Sequence, residues 1–480
     1  MPLIGAGPLW AQTETSAKAS FASISAGSGT CAVLADGRAF CWGAENISPT
    51  PTLVALPGGR RAVAISAGSG HRCAILDDGS AVCWGQDEQG QLGDDAALAY
   101  QPTPVPVALP PGRTATQISA GGSFTCAVLD DGSVVCWGRA NVMTSEYAPT
   151  PAPVPLPAGR RAVAVSTSGE QHCLILDDGS PACWGITVTG SDFFFAPAPT
   201  VVPLPAGRTA VAISSGGGAS CVVLDDGSAA CWGIDAFGQL GNDSALVNSP
   251  TPVPVALPAG RTVTAISAGD RHGCAVLDDG SATCWGSDGQ GRLGDGANSD
   301  APKPIPVPVA LPAGRRAVAI TAGDAHSCAI LDDQTALCWG NDRNGQLGND
   351  PTIADRHLPV LVALSKTAPA RLTLTVTPDR DVSSPHLFST SGQLVLVEQG
   401  PARASACNGN VAIKASTGTR TLATSRVKLR ISRGKCIYSG SVSITAAKRG
   451  QVAAAVVIAT FSGNDLMLAA TARPRTIRFT

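Results

Sequence analysis

Along residues 21–365, apolar runs of three or four residues alternate with short polar turns. In a representative stretch, residues 65–85, the apolar runs 74–76 and 80–82 flank Asp-Asp-Gly at residues 77–79. A three-residue connection that ends in Gly is typical of a type I turn closed by a left-handed glycine. The pattern therefore predicts a β-hairpin in which Cys73 lies directly opposite Cys83.

Both faces of this hairpin are apolar. Cys73 and Ile75 point to one side of the first strand, and Ala74 and Leu76 point to the other. Strands that are covered on both faces have this pattern. We therefore expect each hairpin to be packed between two neighbouring sheets.

The stretch at residues 65–85 has six near-copies, which begin at residues 24, 118, 165, 213, 266 and 320. Seven copies at a period of roughly 50 residues indicate a solenoid, a propeller or an array. Six copies are preceded by a short apolar strand and a Pro-x-Gly-Arg turn, and an unmatched strand, residues 359–364, follows the last copy. This offset predicts that the C-terminal strand completes the N-terminal blade and closes a ring without exposed edges.

The hairpin register pairs two cysteines, ten residues apart, in every copy. The pairs are Cys31 with Cys41, Cys73 with Cys83, Cys126 with Cys136, Cys173 with Cys183, Cys221 with Cys231, Cys274 with Cys284, and Cys328 with Cys338. Opposed Cβ atoms are close enough for a disulfide. Buried free thiols are the alternative, and a zinc site is disfavoured because nothing brings two pairs together. Because stable disulfides need an oxidising compartment, we expect a secreted or cell-surface protein, with the periplasm also possible.

The repeat, with Trp after its second cysteine and GQLG-type segments at residues 90–94, 238–242, 291–295 and 345–349, resembles that of the regulator of chromosome condensation family. The resemblance implies a seven-bladed β-propeller over residues 21–365. It also implies guanine-nucleotide exchange on a small GTPase as one activity, although the cysteine pairs depart from the nuclear member. The tryptophans are interpreted as wedges between blades, and a ring of ligand-stacking aromatics is the alternative.

The composition changes after residues 365–370, and short alternating strands without the repeat occupy residues 371–480. This pattern predicts an immunoglobulin-like β-sandwich, and residues 461–464 resemble the closing motif of bacterial immunoglobulin-like modules. Cys407 and Cys436 are expected to form an eighth disulfide. The predicted fold class is thus all-β, a seven-bladed β-propeller followed by a small immunoglobulin-like β-sandwich. Residues 1–20 are interpreted either as a truncated secretory signal or as a disordered leader.

Charge divides the chain at the same place. From Lys366 onward there are 16 Lys and Arg against 4 Asp and Glu, a net charge of +12, whereas the remainder has 18 against 32, a net charge of −14. Arg426, Lys428 and Arg430 alternate along one predicted strand and are expected to share its solvent face. This basic domain is a candidate for binding an anionic envelope polymer or a protein, and the alternatives are a role in solubility or attraction to the acidic propeller.

A second set of candidate partner-binding residues lies in loops of the propeller. Phe193, Phe194 and Phe195 form an aromatic run in a Pro-rich segment, and Tyr147 is a weaker candidate. The run is either a hot spot for a partner or a plug tucked under its own loop. Histidines at positions 71, 172, 272 and 326 precede the first cysteine of their repeats, and we expect them to bond neighbouring segments rather than a metal.

The sequence contains no nucleophile with a base and an orienting group, no phosphate loop and no pair of carboxylates that stands out from the repeat. We therefore predict no enzyme activity, no cofactor and no metal, and a non-enzymatic extracellular scaffold that binds an unknown protein or anionic envelope polymer. Inhibition of an extracellular hydrolase and nucleotide exchange are the alternatives. We expect a monomer. We also expect no binding to nucleic acid, because the acidic large domain would be repelled by the phosphate backbone. No stretch of the sequence is long and apolar enough to span a membrane.

A free-thiol count tests the cysteine pairing. Denatured, unreduced protein from its native source is expected to give no free thiols among its 16 cysteines, because all form disulfides. The measurement is reaction with a thiol reagent before and after reduction. Sixteen reactive thiols before reduction are the result that contradicts the pairing.

Overall fold

A computed structural model describes two parts of the chain. The first is residues 20–364 without 45–47, 96–98, 140–146, 170, 190–191, 243–245, 298–300 and 350–352. The second is the set of strands between residues 371 and 478, together with Leu429. The leader and Cys407 lie outside the described residues, and so does the side chain of Cys436. By internal contacts the chain divides into one compact unit of residues 20–365 and a second that includes residues 366–480.

Seven four-stranded antiparallel sheets make up the first unit. Blade 1 comprises β1 Phe21–Ala26, β2 Thr30–Leu34, β3 Ala39–Trp42 and β4 Thr52–Leu53. Blade 2 comprises β5 Ala62–Ala67, β6 His71–Leu76, β7 Ala81–Gly85 and β8 Gln101–Pro106. Blade 3 comprises β9 Ala115–Ala120, β10 Phe124–Leu129, β11 Val134–Gly138 and β12 Ala148–Pro153. Blade 4 comprises β13 Ala162–Thr167, β14 Gln171–Leu176, β15 Pro181–Thr189 and β16 Asp192–Val201.

Blade 5 comprises β17 Ala210–Gly216, β18 Ala219–Leu224, β19 Ala229–Gly233 and β20 Ser249–Pro254. Blade 6 comprises β21 Val263–Ala268, β22 His272–Leu277, β23 Ala282–Gly286 and β24 Lys303–Pro308. Blade 7 comprises β25 Ala317–Ala322, β26 His326–Leu331, β27 Ala336–Gly340 and β28 Arg356–Leu361. Short 3₁₀ turns occupy Pro57–Gly59 and Gly289–Gly291. The predicted seven-bladed propeller is confirmed.

Ten further strands form two five-stranded sheets in the C-terminal unit. They are β29 Arg371–Leu372, β30 Thr375–Pro378, β31 His386–Val395, β32 Asn410–Thr417, β33 Arg420–Lys428, β34 Arg430–Ser432, β35 Lys435–Ile444, β36 Ala454–Phe461, β37 Ala470–Thr471 and β38 Arg475–Arg478. One sheet contains β29, β30, β31, β34 and β35, and the other contains β32, β33, β36, β37 and β38. The unit is all-β, and its assignment as immunoglobulin-like stays a prediction. No helix in the described part of the chain is long and apolar enough to cross a membrane.

The predicted hairpin register is confirmed. In blade 2, Cys73 pairs with Cys83, and Ala74 pairs with Val82. Gly79 adopts a φ of 78°, the left-handed conformation that the turn requires of its last residue. All seven cysteine pairs of the propeller form disulfides, with Cα atoms 4.0–4.1 Å apart.

The expected mode of ring closure is wrong. The strand before each repeat pairs with the preceding blade: β4 pairs with β3, and β28 pairs with β27 of blade 7 rather than with blade 1. Each blade is therefore one contiguous segment of chain. The short apolar strand adds to the free edge of the hairpin just completed, because the backbone N–H and C=O groups of that edge need partners. The length of the connection does not decide the pairing, since residues 86–100 separate β8 from its partner β7 and only residues 107–114 separate it from β9.

Side chains from the two faces of each hairpin build separate cores with the two neighbouring blades. Cys73 and Ile75 of blade 2 pack with Trp137 of blade 3, whereas Ala74 and Trp84 pack with blade 1. The indoles are buried throughout the ring: Trp42, Trp84, Trp137, Trp184, Trp232, Trp285 and Trp339 are at most 6% exposed. This confirms the interpretation of the tryptophans as wedges between blades.

Hydroxyl groups on the innermost strands join the blades into a closed ring. In six blades a serine accepts the backbone N–H of the next blade at 2.9–3.0 Å, as Ser25 does from Ala67. The seventh bond runs from Ala26 N–H of blade 1 to Thr321 Oγ1 of blade 7 at 3.0 Å. The last blade is thus joined to the first by hydrogen bonds rather than by a shared sheet. Besides the Thr321 bond, Phe21 N–H donates to the Gln334 carbonyl at 2.9 Å, and Asp324 N–H donates to the Gly27 carbonyl at 3.1 Å.

Arginines of the Pro-x-Gly-Arg turns pair with the Asp-Asp-Gly turns. Arg60 Nη1 lies 3.1 Å from Asp77 Oδ1, and Arg60 Nη2 lies 2.8 Å from Asp78 Oδ2. The same arrangement recurs at Arg113, Arg160, Arg208, Arg261 and Arg315. Asp78 also accepts Ser80 N–H at 3.1 Å and Ser80 Oγ–H at 2.6 Å, which lowers its pKa. Because these groups are exposed, each pair orders its turn more than it stabilises the fold.

Replacing Thr321 tests the ring of hydroxyl bonds. Thr321→Ala leaves the Ala26 N–H without its acceptor and is expected to lower the free energy of unfolding by about 1–3 kcal/mol. Thr321→Ser keeps the hydroxyl, as the other six blades do, and is expected to be close to neutral. The measurement is urea unfolding of the disulfide-intact protein, and equal midpoints for the two variants are the outcome that contradicts the role of this bond.

Candidate functional site

Antiparallel pairing divides the connections of the propeller between two faces. The loops after the first and third strands of each blade lie on one face, which we call the glycine face after residues such as Gly68 and Gly121. The Asp-Asp-Gly and Gly-Arg turns lie on the other face. Since the repeat leaves the turns nearly invariant, sequence variation is concentrated on the glycine face.

The GQLG-type segments cap the glycine face between blades. In blade 2, Asp87 Oδ1 accepts Leu92 N–H at 2.9 Å and so shapes the segment. The Gln91 carbonyl then accepts Trp137 Nε1–H of blade 3 at 2.8 Å. Gly93 has a φ of 67°, and a Cβ there would lie 2.8 Å from the Trp137 ring, which explains the glycine.

The same bond closes three other blade junctions. Trp285 donates to the Gln239 carbonyl, Trp339 donates to Arg292, and Trp42 donates to Gln346 across the junction of blades 7 and 1, all at 2.8–2.9 Å. Blades 1, 3 and 4 lack the GQLG-type segment. In these three blades the segment between the third and fourth strands can therefore have a different structure.

Blade 4 carries a longer hairpin in this place. Its third strand continues to Thr189, whereas the third strand of blade 2 ends at Gly85. Ile186, Thr187 and Val188 pair with Phe195, Phe194 and Phe193. The aromatic run is thus a β-strand, and the expectation that it lies in a loop is wrong, because cross-strand pairing with β-branched residues offsets the nearby prolines.

Phe194 of the aromatic run is exposed to solvent. The Phe194 side chain is 47% exposed, so it is not tucked beneath its own segment, whereas Phe195 is half-buried. The side chain of Phe193 lies outside the described residues. Tyr147, at the start of the outer strand of blade 3, is 49% exposed on the same face.

An axial opening of about 550 Å³ lies at the centre of the glycine face. Loops of all seven blades line it, and glycines are required because a Cβ on Gly121 would lie 2.2 Å from the Ser168 carbonyl oxygen. Ile186, at the base of the blade 4 hairpin, reaches its edge. The hairpin and the opening therefore form one continuous surface.

Two carboxylates make the axial opening acidic. Asp270 and Asp324 are the charged side chains among the described residues that line it. The pKa of Asp324 is raised to about 6, first because surrounding protein displaces water within the concave opening and then because of the negative charge of Asp270. Arg271 lies outside the opening, where it contacts Asp270 at 3.3 Å and stacks over Phe237.

Comparison with known proteins identifies the family. The model of the RCC1-like domain matches residues 44–377, more than half of the chain. The chain belongs to the RCC1-like domain family.

Individual relatives resemble parts of this RCC1-like chain. It is 31% identical over 126 residues to the ultraviolet-B receptor UVR8 of Arabidopsis thaliana, covering 26% of this chain and 28% of the receptor. It is 29% identical over 129 residues to the human regulator of chromosome condensation, covering 26% of this chain and 30% of the relative. The chain thus spans less than a third of the length of these curated relatives. Yeast RCC1 (Prp20), solved bound to Kap60, shares the fold with a TM-score of 0.59 at 20% identity, covering 75% of this chain and 89% of that one.

Three of the four repeat histidines, His71, His272 and His326, bond the next blade as expected. His71, His272 and His326 place Nε2 2.6–2.8 Å from the hydroxyls of Thr125, Ser327 and Thr30. Gln171 takes the equivalent position in blade 4, where its Oε1 accepts the Ser220 hydroxyl at 3.0 Å.

Burial holds these rings neutral. Burial, together with a smaller contribution from the positive charges of Arg72 and Arg292, lowers the pKa of His71 and His326 to about 3. His172 has a pKa of about 3 and packs against Phe124 and Trp184. Burial also lowers the pKa of His272 well below its usual value. In the part of the chain that the structure describes, no three His, Cys, Asp or Glu side chains are grouped to hold a metal ion.

The basic candidates of the C-terminal unit do not share one strand. Arg426 and Lys428 are exposed on β33, but buried Leu429 separates them from Arg430 on β34, which belongs to the other sheet. The expectation of a common strand face is therefore wrong for Arg430. The sequence does not reveal that β33 ends at Lys428, because basic residues still alternate with apolar ones from Arg426 to Arg430.

Acid is expected to destabilise the propeller through its buried histidines. Each has a pKa near 6.5 when unfolded and a much lower pKa when folded, so unfolding takes up protons as the pH falls from about 6.5 to 3. The free energy of unfolding is then lost at up to about 1.4 kcal/mol per pH unit for each histidine. The measurement is urea unfolding at a series of pH values across this window.

The matched variant is His71→Gln, His272→Gln and His326→Gln together, which copies Gln171. It keeps a bond to the next blade and removes three titrating groups, so its stability is expected to depend less steeply on pH. Identical slopes for the variant and the natural protein contradict this assignment.

Proposed function

We propose that this RCC1-like protein is a non-enzymatic protein-binding scaffold that works outside the cytoplasm, secreted or on the cell surface, with the periplasm as another oxidising location. The observation that carries the proposal is the blade 4 hairpin, which stands where other blades have a capping segment and exposes Phe194. An aromatic ring on a rigid strand is well suited to anchor a protein partner, since few rotamers are lost on binding.

The surrounding surface supports a protein partner rather than a small molecule. The axial opening is lined largely by glycine, alanine and serine, so it offers few large apolar side chains to enclose a ligand. Exposed Tyr147 lies on the same face as Phe194. Among proteins of this fold, yeast RCC1 has been solved bound to the protein Kap60.

Seven disulfides support the location. Disulfides of this kind persist in oxidising compartments and are rare in the cytosol. A GTPase partner in the cytosol is for this reason the weaker candidate, and nucleotide exchange is not part of the proposal. We propose that the scaffold acts as a monomer, with blade 4 as its docking element.

A substitution in the hairpin tests the docking element. Phe194→Ser is expected to lower affinity for proteins captured from the extracellular fraction of the source by about tenfold or more, because an exposed aromatic anchor is lost. Leu361→Ser is the matched control, since Leu361 is 55% exposed on the outer strand of blade 7. The measurement is quantitative capture by the natural protein and both variants, followed by titration of the partner that differs.

The same experiment distinguishes the alternatives. Equal capture by both variants, with unchanged thermal stability, contradicts the role of the hairpin. If the captured partner is a hydrolase whose activity falls on binding, the scaffold acts as an inhibitor. Acceleration of nucleotide release from a panel of small GTPases is the result that overturns the proposal in favour of exchange.

A further inference from the structure

A basic surface lies on one sheet of the C-terminal unit and is independent of the propeller site. On β32, Val411, Ile413 and Ala415 are fully buried, whereas Lys414 is exposed between them. On β33, Arg426 and Lys428 are exposed. The alternation of a strand therefore places these three cations on the outer face of the sheet and an apolar core beneath it.

The register arranges the cations in a row. Lys428 pairs with Asn410, Arg426 pairs with Ala412, and Thr424 pairs with Lys414. Residues two apart along a strand are separated by about 6.6–6.8 Å, and neighbouring strands by about 4.8 Å. The three charges thus follow β33 at nearly even intervals, and their cross-strand neighbours are uncharged.

These cations have no carboxylate partner among the described residues. The described parts of β32 and β33 contain no Asp or Glu, and no ion pair there involves Lys414, Arg426 or Lys428. Arg430 is separate, since its guanidinium donates to Ser439 Oγ at 2.9 Å in the other sheet. From Lys366 onward the sequence has four times as many basic as acidic residues, so this part of the chain supplies few carboxylates that could neutralise the three cations.

We propose that this row of Lys414, Arg426 and Lys428 binds a linear anionic polysaccharide laid along β33. The row lies on the face of a five-stranded sheet rather than on a helix or an isolated two-stranded ribbon, the elements that enter the major groove. An extended polymer with regularly spaced carboxylates or sulfates can instead meet the three cations in turn. Anionic polysaccharides are abundant outside the cytoplasm, and the seven disulfides indicate an oxidising compartment.

Binding of the full, disulfide-intact protein to immobilised heparin and to polygalacturonate tests the proposal. The two probes separate sulfate from carboxylate recognition, and neutral dextran is the blank. The combined variant Lys414→Gln, Arg426→Gln and Lys428→Gln is expected to bind about tenfold more weakly or worse at low salt, because three charge contacts are lost. Binding by the natural protein is expected to weaken as salt rises.

A matched variant removes the same charge from the propeller. Arg61→Gln, Arg161→Gln and Arg316→Gln alter three exposed arginines on the turn face, and this variant is expected to bind like the natural protein. The exchange Lys414→Arg, Arg426→Lys and Lys428→Arg is expected to keep binding if the fold is intact. A thermal unfolding midpoint of the glutamine variant equal to that of the natural protein shows that its loss of binding is not a failure to fold.

Three results overturn the proposal. Equal loss in the two charge-removing variants means that net charge alone drives adsorption. Binding of duplex DNA as tight as that of either polysaccharide means that the surface does not select the proposed polymer. Failure to bind either polysaccharide, with salt-sensitive self-association that the glutamine variant abolishes, means that the row contacts the acidic propeller of another copy.

Discussion

The propeller depends on hydrogen bonds that pass from each blade to the next along its innermost strands. A hydroxyl of one blade accepts a backbone N–H of the following blade, and Thr321 completes the circle by accepting from Ala26. The bond is worth most at this last junction, because blades 7 and 1 are not consecutive in the chain, whereas a Gly-Arg turn links the blades at each of the other junctions. A buried N–H without an acceptor is costly, so the ring favours seven complete blades over an open array.

Close approach of the blades determines the residues around this ring. Glycines stand beside the hydroxyls because a side chain there would collide with the neighbouring loop, as Gly121 would with Ser168. Further out, disulfides and indoles divide the two faces of each hairpin between two cores. A chain with only 4% aromatic residues thus builds a large all-β domain from small side chains, seven cross-links and one tryptophan per blade.

The departures from the repeat carry the functional interpretation. Where a GQLG-type segment is present, its backbone is bonded to a buried tryptophan and is fixed to the fold. Blade 4 lacks that segment, and its hairpin, whose residue Ile186 lines the axial opening, exposes Phe194. A ring of similar blades can display a binding element on a departing blade such as blade 4, since loops on a scaffold can change while the core is kept. The basic sheet of the C-terminal unit offers a second surface of opposite charge to the acidic opening.

Local spacing by itself determined the hairpins, their register and the seven disulfides. A three-residue turn that ends in glycine fixes the register of the two strands, and this register places cysteines ten residues apart directly opposite each other. Local spacing did not determine which blade each outer strand joins, since a short apolar strand fits the edge of either neighbour. Nor did it show that Phe193–Phe195 form a strand, that Leu429 ends one, or that Lys414 joins Arg426 and Lys428. The sequence shows that Pro-x-Gly-Arg and Asp-Asp-Gly turns occur together in the repeat, but not that their Arg and Asp side chains form six ion-paired sites. Each of these depends on residues distant in sequence meeting across strands, and only the tertiary structure brings them together.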